Sequence, residues 1–318
     1  MSRPHIPEIL EGLRLRFWSL AIRMETGANS LRKLEQQRFR PQGPYPPMRD
    51  AVVRNIRAFR DHPAVVCWYL VDEPEGWWES SPGGKKESDL QDLLLAAKAA
   101  DPYRPSHINW YAWSTGRGGY GGLEATDIGS LDRYPIGRGD NAMKTIADVA
   151  TQMNADCRPR SQPTAFWCQM YGYDDAIREP TPAEETCMTY LCVIEGMRLV
   201  YYFIYKPMSP DLWASMTPLG RELNTLQPLL CDSEARELSV ATMGETVRYA
   251  LWDTKDGLLL IAANAAYGSA TATFDLTAHG RPRTANATVM FENRSVSLKG
   301  GRLTDTFAPC ARHVYLLK

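Results

Sequence analysis

The sequence predicts an α/β fold: a partial or incomplete (β/α)8 TIM-type barrel followed by a small antiparallel β-sandwich. Three observations carry this expectation. Short apolar runs alternate with segments of helical periodicity over residues 48–232, the pattern of parallel strands joined by crossover helices. The run from Ala64 to Val71 is almost continuously apolar and breaks off at Asp72-Glu73-Pro74, as a buried parallel strand does when it presents carboxyl groups at a barrel end. From about Arg236 the runs become short and alternating, separated by Asp-Gly, Tyr-Gly and Gly-Gly turns, which reads as antiparallel sheet. The expected division is a barrel-like domain over 1–235 and a β-sandwich over 236–318.

The elements follow in order. Met48 to Asp61 carries Val52, Val53, Ile56 and Phe59 at helical spacing and leads into the strand Ala64–Val71. After a Gly/Ser/Lys loop (Ser80 to Lys86), Ser88 reads as the N-cap of a helix that runs to Ala100 and is closed by Asp101-Pro102. His107 to Trp113 is the second strand. The glycine-rich loop Gly116 to Gly122 has no helix opening directly after it, so it lacks the context of a dinucleotide fingerprint. Asp127 to Ile136 is a strand ending at a proline, Ala142 to Met153 a helix, and Pro163 to Tyr173 the fourth strand. Thr181-Pro182-Ala183-Glu184 has the form of a capping box with proline at the first helical position, opening a helix to Gly196. Leu199 to Tyr205 is the fifth strand and Asp211 to Leu230 the last long helix. Seven short runs between Leu238 and Leu317 make up the β-sandwich.

Composition excludes several classes of function. A formal net charge of -1, with Lys and Arg scattered over 318 residues, offers no attraction for nucleic acid or anionic lipid. No apolar run reaches the roughly 18 residues of a membrane span. Residues 1–7 lack the apolar core of a secretory signal, so the chain as written is expected in the cytoplasm, or secreted if the natural N-terminus is longer. Seven cysteines without metal-type spacing read as buried thiols, and neither metal nor cofactor is expected.

The residues at strand ends carry the chemical reading. Glu73 combines a strand end, the break at Pro74 and two flanking tryptophans, Trp77 and Trp78, on which a sugar ring can stack. An ordinary strand-to-loop exit has the same composition. Asp72 reads as a partner carboxyl or a hydroxyl ligand. Asn109, Trp110, Asp132, Tyr134, Gln169, Tyr171 and Tyr205 fall near predicted strand ends as cleft-lining candidates, with core packing as the alternative for Tyr134. His107, at the start of its strand, reads as structural, and Lys206 as a ligand for an anionic group or an acid.

These residues resemble clan-A glycoside hydrolases of the β-galactosidase and cellulase kind. The strand ending Asp72-Glu73-Pro74 is similar to that family's fourth strand, which ends Asn-Glu(-Pro) with the Glu as general acid/base. There follow a strand carrying His107, Asn109 and Trp110, a strand ending Asp132-Arg133-Tyr134-Pro135, and one over Pro163–Tyr173, where the family keeps its nucleophilic Glu. An aromatic last strand (Tyr201, Tyr202, Phe203, Tyr205) and a β-sandwich tail complete the likeness, which covers residues 48–318. It implies a β-linked oligo- or polysaccharide as substrate, Glu73 as general acid/base with Asp72 beside it, and the cleft residues above as sugar ligands. The alternative is a catalytically silent carbohydrate-binding or assembly protein.

Two departures qualify the resemblance. The nucleophile position reads Gln169, and an amide cannot form a glycosyl ester. Asp72 replaces Asn, setting two carboxyls side by side; one of such a pair tends to keep its proton. That arrangement also resembles the substrate-assisted hexosaminidases, while an inverting route would recruit Asp132, Asp174 or Asp175 across roughly 6.5–9.5 Å. The second departure is length: five strand–helix units take about 37 residues each, so eight would need about 296, more than precede the β-sandwich. The first two or three barrel strands are thus expected to be absent. A sheet edge left open must be covered, by the N-terminal segment with its Leu13–Ile22 run or by a second copy of the chain in a homo-oligomer.

Overall fold

A computed structural model describes residues 45–74, 87–110, 126–139, 141–172, 177–203, 207–232, 235–244, 246–279 and 286–318. Five parallel strands form one sheet: β1 (Trp68–Asp72), β2 (Ser106–Trp110), β3 (Ile128–Asp132), β4 (Thr164–Gln169) and β5 (Leu199–Phe203). The helices are α1 (Tyr45–Phe59), α2 (Glu87–Ala100), α3 (Ala142–Cys157), α4 (Pro182–Ile194) and α5 (Pro210–Leu230). The strand order β1-β2-β3-β4-β5 never reverses, which is the succession of a barrel and not of a doubly wound sheet. Among the described residues the sheet is open, with β1 and β5 at its edges. The fold is α/β with an incomplete barrel followed by a β-rich region. No described helix is long and apolar enough to cross a membrane.

The chain divides into two compact units. The first holds the described residues up to Asp132 together with Ala155–Ala165. Its core forms where Leu90, Leu93, Leu94, Ala97 and Ala100, one stripe of α2, meet Met48 and Ile56 of α1 and Leu70, Val71, Ile108 and Trp110 of the strands. Tyr45 Oη and Arg49 Nε of α1 both donate to Asp92 of α2 at 2.6 Å. Asp101, 1% exposed, accepts from Trp68 Nε1 at 2.9 Å, from the backbone N–H of Tyr103 and Arg104, and from the Arg104 guanidinium. It thereby fixes the end of α2 to the start of β1. Burial opposes its ionisation, but these donors win and hold its carboxyl below the ordinary range.

Three boundaries here correct the sequence reading. The strand begins at Trp68, not Ala64. Pro63 lies in a turn closed by Val65 N–H on the His62 carbonyl, and Val66 is 57% exposed; ladder bonding starts only where Trp68 N–H reaches the Pro105 carbonyl. Ser88 lies inside α2, which starts by Glu87, so it is not the cap. The third strand likewise stops at Asp132, short of the expected Ile136.

The second unit holds Arg133–Asn154 and Phe166–Lys318. Thr181 caps α4 as expected: its side chain accepts from Glu184 N–H at 3.3 Å, and Glu184 reaches back to Thr181 N–H at 2.7 Å. Glu184 also takes both terminal nitrogens of Arg178 and the Tyr267 hydroxyl, at 2.6–2.8 Å. Burial works against its charge, yet Arg178, Thr181 and Tyr267 together pull its carboxyl down to about 2. Its neighbour Glu185 is 0% exposed and has no hydrogen-bond partner among the described residues, and burial pushes its carboxyl well above the ordinary range. The seven cysteines all carry thiols, five of them buried.

The antiparallel part comprises β6 (Arg236–Met243), β7 (Val247–Thr254), β8 (Gly257–Asn264), β9 (Ala270–Asp275), β10 (Asn286–Met290), β11 (Arg294–Ser297), β12 (Arg302–Phe307) and β13 (Arg312–Leu317). Six form a sheet in the order β11-β10-β13-β8-β7-β6, and β12 pairs with β9. Their apolar faces share one core, with Leu260 and Tyr315 from the six-stranded sheet and Phe274, Leu303 and Phe307 from the pair. β12 is an element that the sequence reading missed. The β7–β8 turn needs glycine at 257: its φ is +133, and a Cβ there would lie 2.1 Å from the Leu317 carbonyl oxygen.

The Glu184 cluster generates a pH prediction. A carboxyl lowered from 4.5 to about 2 on folding adds stability that is complete above about pH 4.5 and lost as pH falls toward 2. Urea unfolding of wild type and Glu184→Gln is expected to show a stability difference that shrinks over this window by about 3 kcal/mol. A pH-independent difference refutes the charge argument.

Candidate active site

In the first unit the site is built by one surplus residue. β1 and β2 pair Tyr69 with His107, Val71 with Ile108 and Asp72 with Asn109, and the register shifts at Leu70. Leu70 and Val71 both belong to the helix-side core, with Ile108 and Trp110. Tyr69 and Asp72, three residues apart, therefore share the opposite face with His107 and Asn109. Pairing of β2 with β3 extends this face into two transverse rows, Tyr69–His107–Ile128 and Asp72–Asn109–Ser130, with Asp132 one pleat further along β3.

The second row is a hydrogen-bond chain. Ser130 Oγ donates to Asn109 Oδ1 at 3.0 Å, which turns the Asn109 amide nitrogen toward Asp72 Oδ1 at 3.5 Å. The Tyr69 hydroxyl donates to the same Asp72 oxygen. Burial, reinforced by Asp72 and then by Asp132 and Glu73, raises the Tyr69 hydroxyl well above its ordinary range, so it stays a donor. Beneath it the His107 ring stacks at 5.0 Å and 15°. Burial pushes His107 down to about 3, leaving a neutral imidazole beside the acids.

Glu73 lies just beyond the ladder, its N–H bonded to the Asn109 carbonyl at 2.8 Å. Its φ is +43, the left-handed region, which costs an L-residue with a side chain about 1–2 kcal/mol. The side chain is half-buried, and Pro74 after it is buried.

In the second unit Gln169 is 0% exposed and its amide is occupied by backbone. Oε1 accepts from Ile136 N–H at 2.9 Å, while Nε2 donates to the carbonyls of Tyr171 at 3.1 Å and Arg178 at 3.3 Å. The exit of β4 is thereby tied to segments 133–136 and 177–179. Gly172 reinforces this, since a Cβ there would meet the Ile177 carbonyl oxygen at 2.6 Å. Glu179 accepts the N–H groups of Met208 at 2.6 Å and Ser209 at 2.8 Å, at the start of α5. Tyr134, Tyr171 and Phe203 form an aromatic group with ring centroids 5.1–5.7 Å apart, and Trp167 packs on Tyr201 at 4.5 Å.

Of the residues singled out from sequence, the fold brings Asp72, Glu73, Asn109 and Asp132 to the ends of β1, β2 and β3 within one unit. Trp110 faces the helix-side core. Tyr134, Gln169 and Tyr171 belong to the second unit. Trp77, Trp78, Asp174, Asp175, Tyr205 and Lys206 lie outside the described residues, as do the glycine-rich loop and the Leu13–Ile22 run. Sequence reasoning missed Tyr69 and Ser130; regular alternation would turn Tyr69 and Asp72 to opposite faces.

No family model matches the sequence, and no curated protein matches it. Solved structures match the fold at low identity. An α-amylase from Geobacillus thermoleovorans, complexed with acarbose, aligns with a TM-score of 0.55 at 11% identity over 86% of this chain and 64% of its own. AmyP in complex with maltose gives a TM-score of 0.55 at 8% identity, over 86% and 68%. A GH27 β-L-arabinopyranosidase from Geobacillus stearothermophilus gives 0.53 at 11%, over 85% and 62%. The chain spans about two thirds of the length of these proteins, and its fold is similar to theirs.

Proposed function

We propose that the chain is a glycoside hydrolase acting on a β-linked oligo- or polysaccharide, with Glu73 as general acid/base. The observation that carries this reading is the placement of three carboxyl residues, Asp72, Glu73 and Asp132, at the ends of β1 and β3, with Asp72 accepting the phenol of Tyr69. Glycosidic cleavage needs a carboxyl that protonates the departing oxygen and a second group that meets the opposing demand at the anomeric carbon. Glu73 takes the first role. Its N–H makes a backbone bond to β2 at the exit of β1, and it is held in a strained left-handed conformation that Gly or Asn would adopt more cheaply, a pattern of residues kept for chemistry. The neutral His107 leaves the proton inventory of this cluster to its carboxyls.

A second reading is a silent carbohydrate-binding protein, and Gln169 favours it. The side chain at the usual nucleophile position is spent on backbone groups and is fully enclosed. In that reading the fold keeps its polar face as a binding surface. The sheet edge at β1 is then covered by another part of the chain or a second copy.

Three outcomes test these readings. Hydrolysis of a panel of aryl β-glycosides and natural oligosaccharides, with the released anomer followed by NMR, is expected to fall roughly 10²–10⁴-fold in Glu73→Gln while sugar binding by calorimetry persists. Binding without turnover by the wild type moves the conclusion to the silent protein. Glu73→Asn is expected to raise unfolding free energy by roughly 0.5–1 kcal/mol through relief of the left-handed strain, and no gain removes the strain argument. Gln169→Glu places a carboxylate against the Tyr171 and Arg178 carbonyls; the expected result in urea unfolding is a loss of about 2–4 kcal/mol with no gain in hydrolysis. A faster enzyme would instead mark position 169 as reactive.

A further inference from the structure

We infer that Tyr69 is a positioning residue that acts through Asp72: its phenol, with the Asn109 amide, sets the orientation of the carboxylate beside Glu73. This rests on the glycosidase reading and extends it to a residue that takes no proton in the reaction.

The argument starts from the backbone. Asp72 and Glu73 are consecutive, with Cα atoms about 3.8 Å apart, so they approach a ligand from one side and cannot flank an anomeric carbon from opposite faces. With Glu73 as acid, Asp72 is suited to accepting a hydrogen bond from the same sugar. An acceptor of this kind must be aimed, because a short side chain on a strand end has free rotation about two bonds. The shift at Leu70 supplies the aim: it brings Tyr69 onto the face of Asp72, and the phenol donates to Asp72 Oδ1. Asn109 supplies a second donor to the same oxygen, itself oriented by Ser130.

Tyr69 is in turn held from below. Its ring lies on the His107 ring at 5.0 Å and nearly parallel, and His107 is fully buried. The flat stack on a buried ring limits the orientations open to the phenol. Asp72 is half-buried, so the residue that Tyr69 and Asn109 hold at Oδ1 still reaches solvent. The arrangement is that of a carboxylate pre-set for a ligand, whose ordering is complete before substrate arrives.

The test uses Tyr69→Phe, Asp72→Asn and the double variant, with circular dichroism as the folding control. Coupling of Asp72 to an amine by a water-soluble carbodiimide, read by peptide mass spectrometry, is expected to speed up severalfold in Tyr69→Phe, because the grip on the carboxylate is gone. Unchanged labelling overturns the inference whatever the protein does to sugars. In hydrolysis, Tyr69→Phe is expected to lower kcat/KM about tenfold to a hundredfold, and to cause no further loss once Asp72 is Asn. Multiplying losses mean that Tyr69 acts by another route and overturn it too. Absence of wild-type turnover refutes the glycosidase reading alone, and the labelling result then decides whether Tyr69 sets Asp72. If Tyr69→Phe unfolds the chain, Asn109→Ala, which removes the second donor and leaves the phenol in place, takes its place in both assays.

Discussion

One surplus residue in an edge strand governs the polar face of the sheet. A parallel strand alternates its side chains, so a run of Tyr-Leu-Val-Asp would send Tyr69 and Asp72 to opposite sides. The register shift at Leu70 sends two consecutive apolar residues into the helix-side core and returns the chain to the inner face at Asp72. The hydrogen-bond row across β1, β2 and β3, the stacked pair beneath it and the left-handed exit at Glu73 all follow from that change of phase. The sheet thus acquires a dry side that stabilises it and a polar side available for chemistry.

The second unit solves a different problem, that of holding long connections at strand ends. It uses side chains that replace backbone partners. Gln169 offers both its oxygen and its nitrogen to main-chain groups, Glu179 binds two N–H groups at the head of α5, and Glu184 gathers a cap, an arginine and a tyrosine. The buried Gln169 and Glu184 are worth more than an exposed pair, because they satisfy groups that would be costly to leave unbonded. Glu185 shows the opposite limit: its carboxyl is enclosed without a partner among the described residues, and burial pushes it well above the ordinary range.

Much of this fold was legible in the sequence, and the exceptions have physical causes. Alternating apolar runs and helical stripes identify β1–β5 and α1–α5, because a sheet covered by helices imposes that pattern on every unit. The capping box at Thr181 is readable since its chemistry is local. β12 escaped notice because its middle inward position is Asp305, which accepts the Tyr315 hydroxyl and pairs with Arg294, so the apolar period breaks between Leu303 and Phe307. The start of β1 was misplaced because Val65 and Val66 favour strand by type while Pro63 has already turned the chain. At the site, Asp72, Glu73 and Asn109 are visible as polar residues ending apolar runs. Tyr69 is not, because its role depends on a register shift that only pairing with a neighbouring strand defines. Gln169 reads as a lost nucleophile, and its service to the backbone depends on how the chain folds back to bring Ile136, Tyr171 and Arg178 around it.

The position of β13 has a consequence for how the molecule is made. It is the thirteenth strand among the described residues, yet it lies inside the six-stranded sheet, between β10 and β8. The hairpin of β10 and β11 has no link to β8 in that sheet except through residues 312–317. During synthesis the two halves of the sheet therefore wait as separate pieces with exposed edges until this strand emerges from the ribosome. Closure joins segments about fifty residues apart, which makes it late, cooperative and slow compared with the local hairpin of β7 and β8.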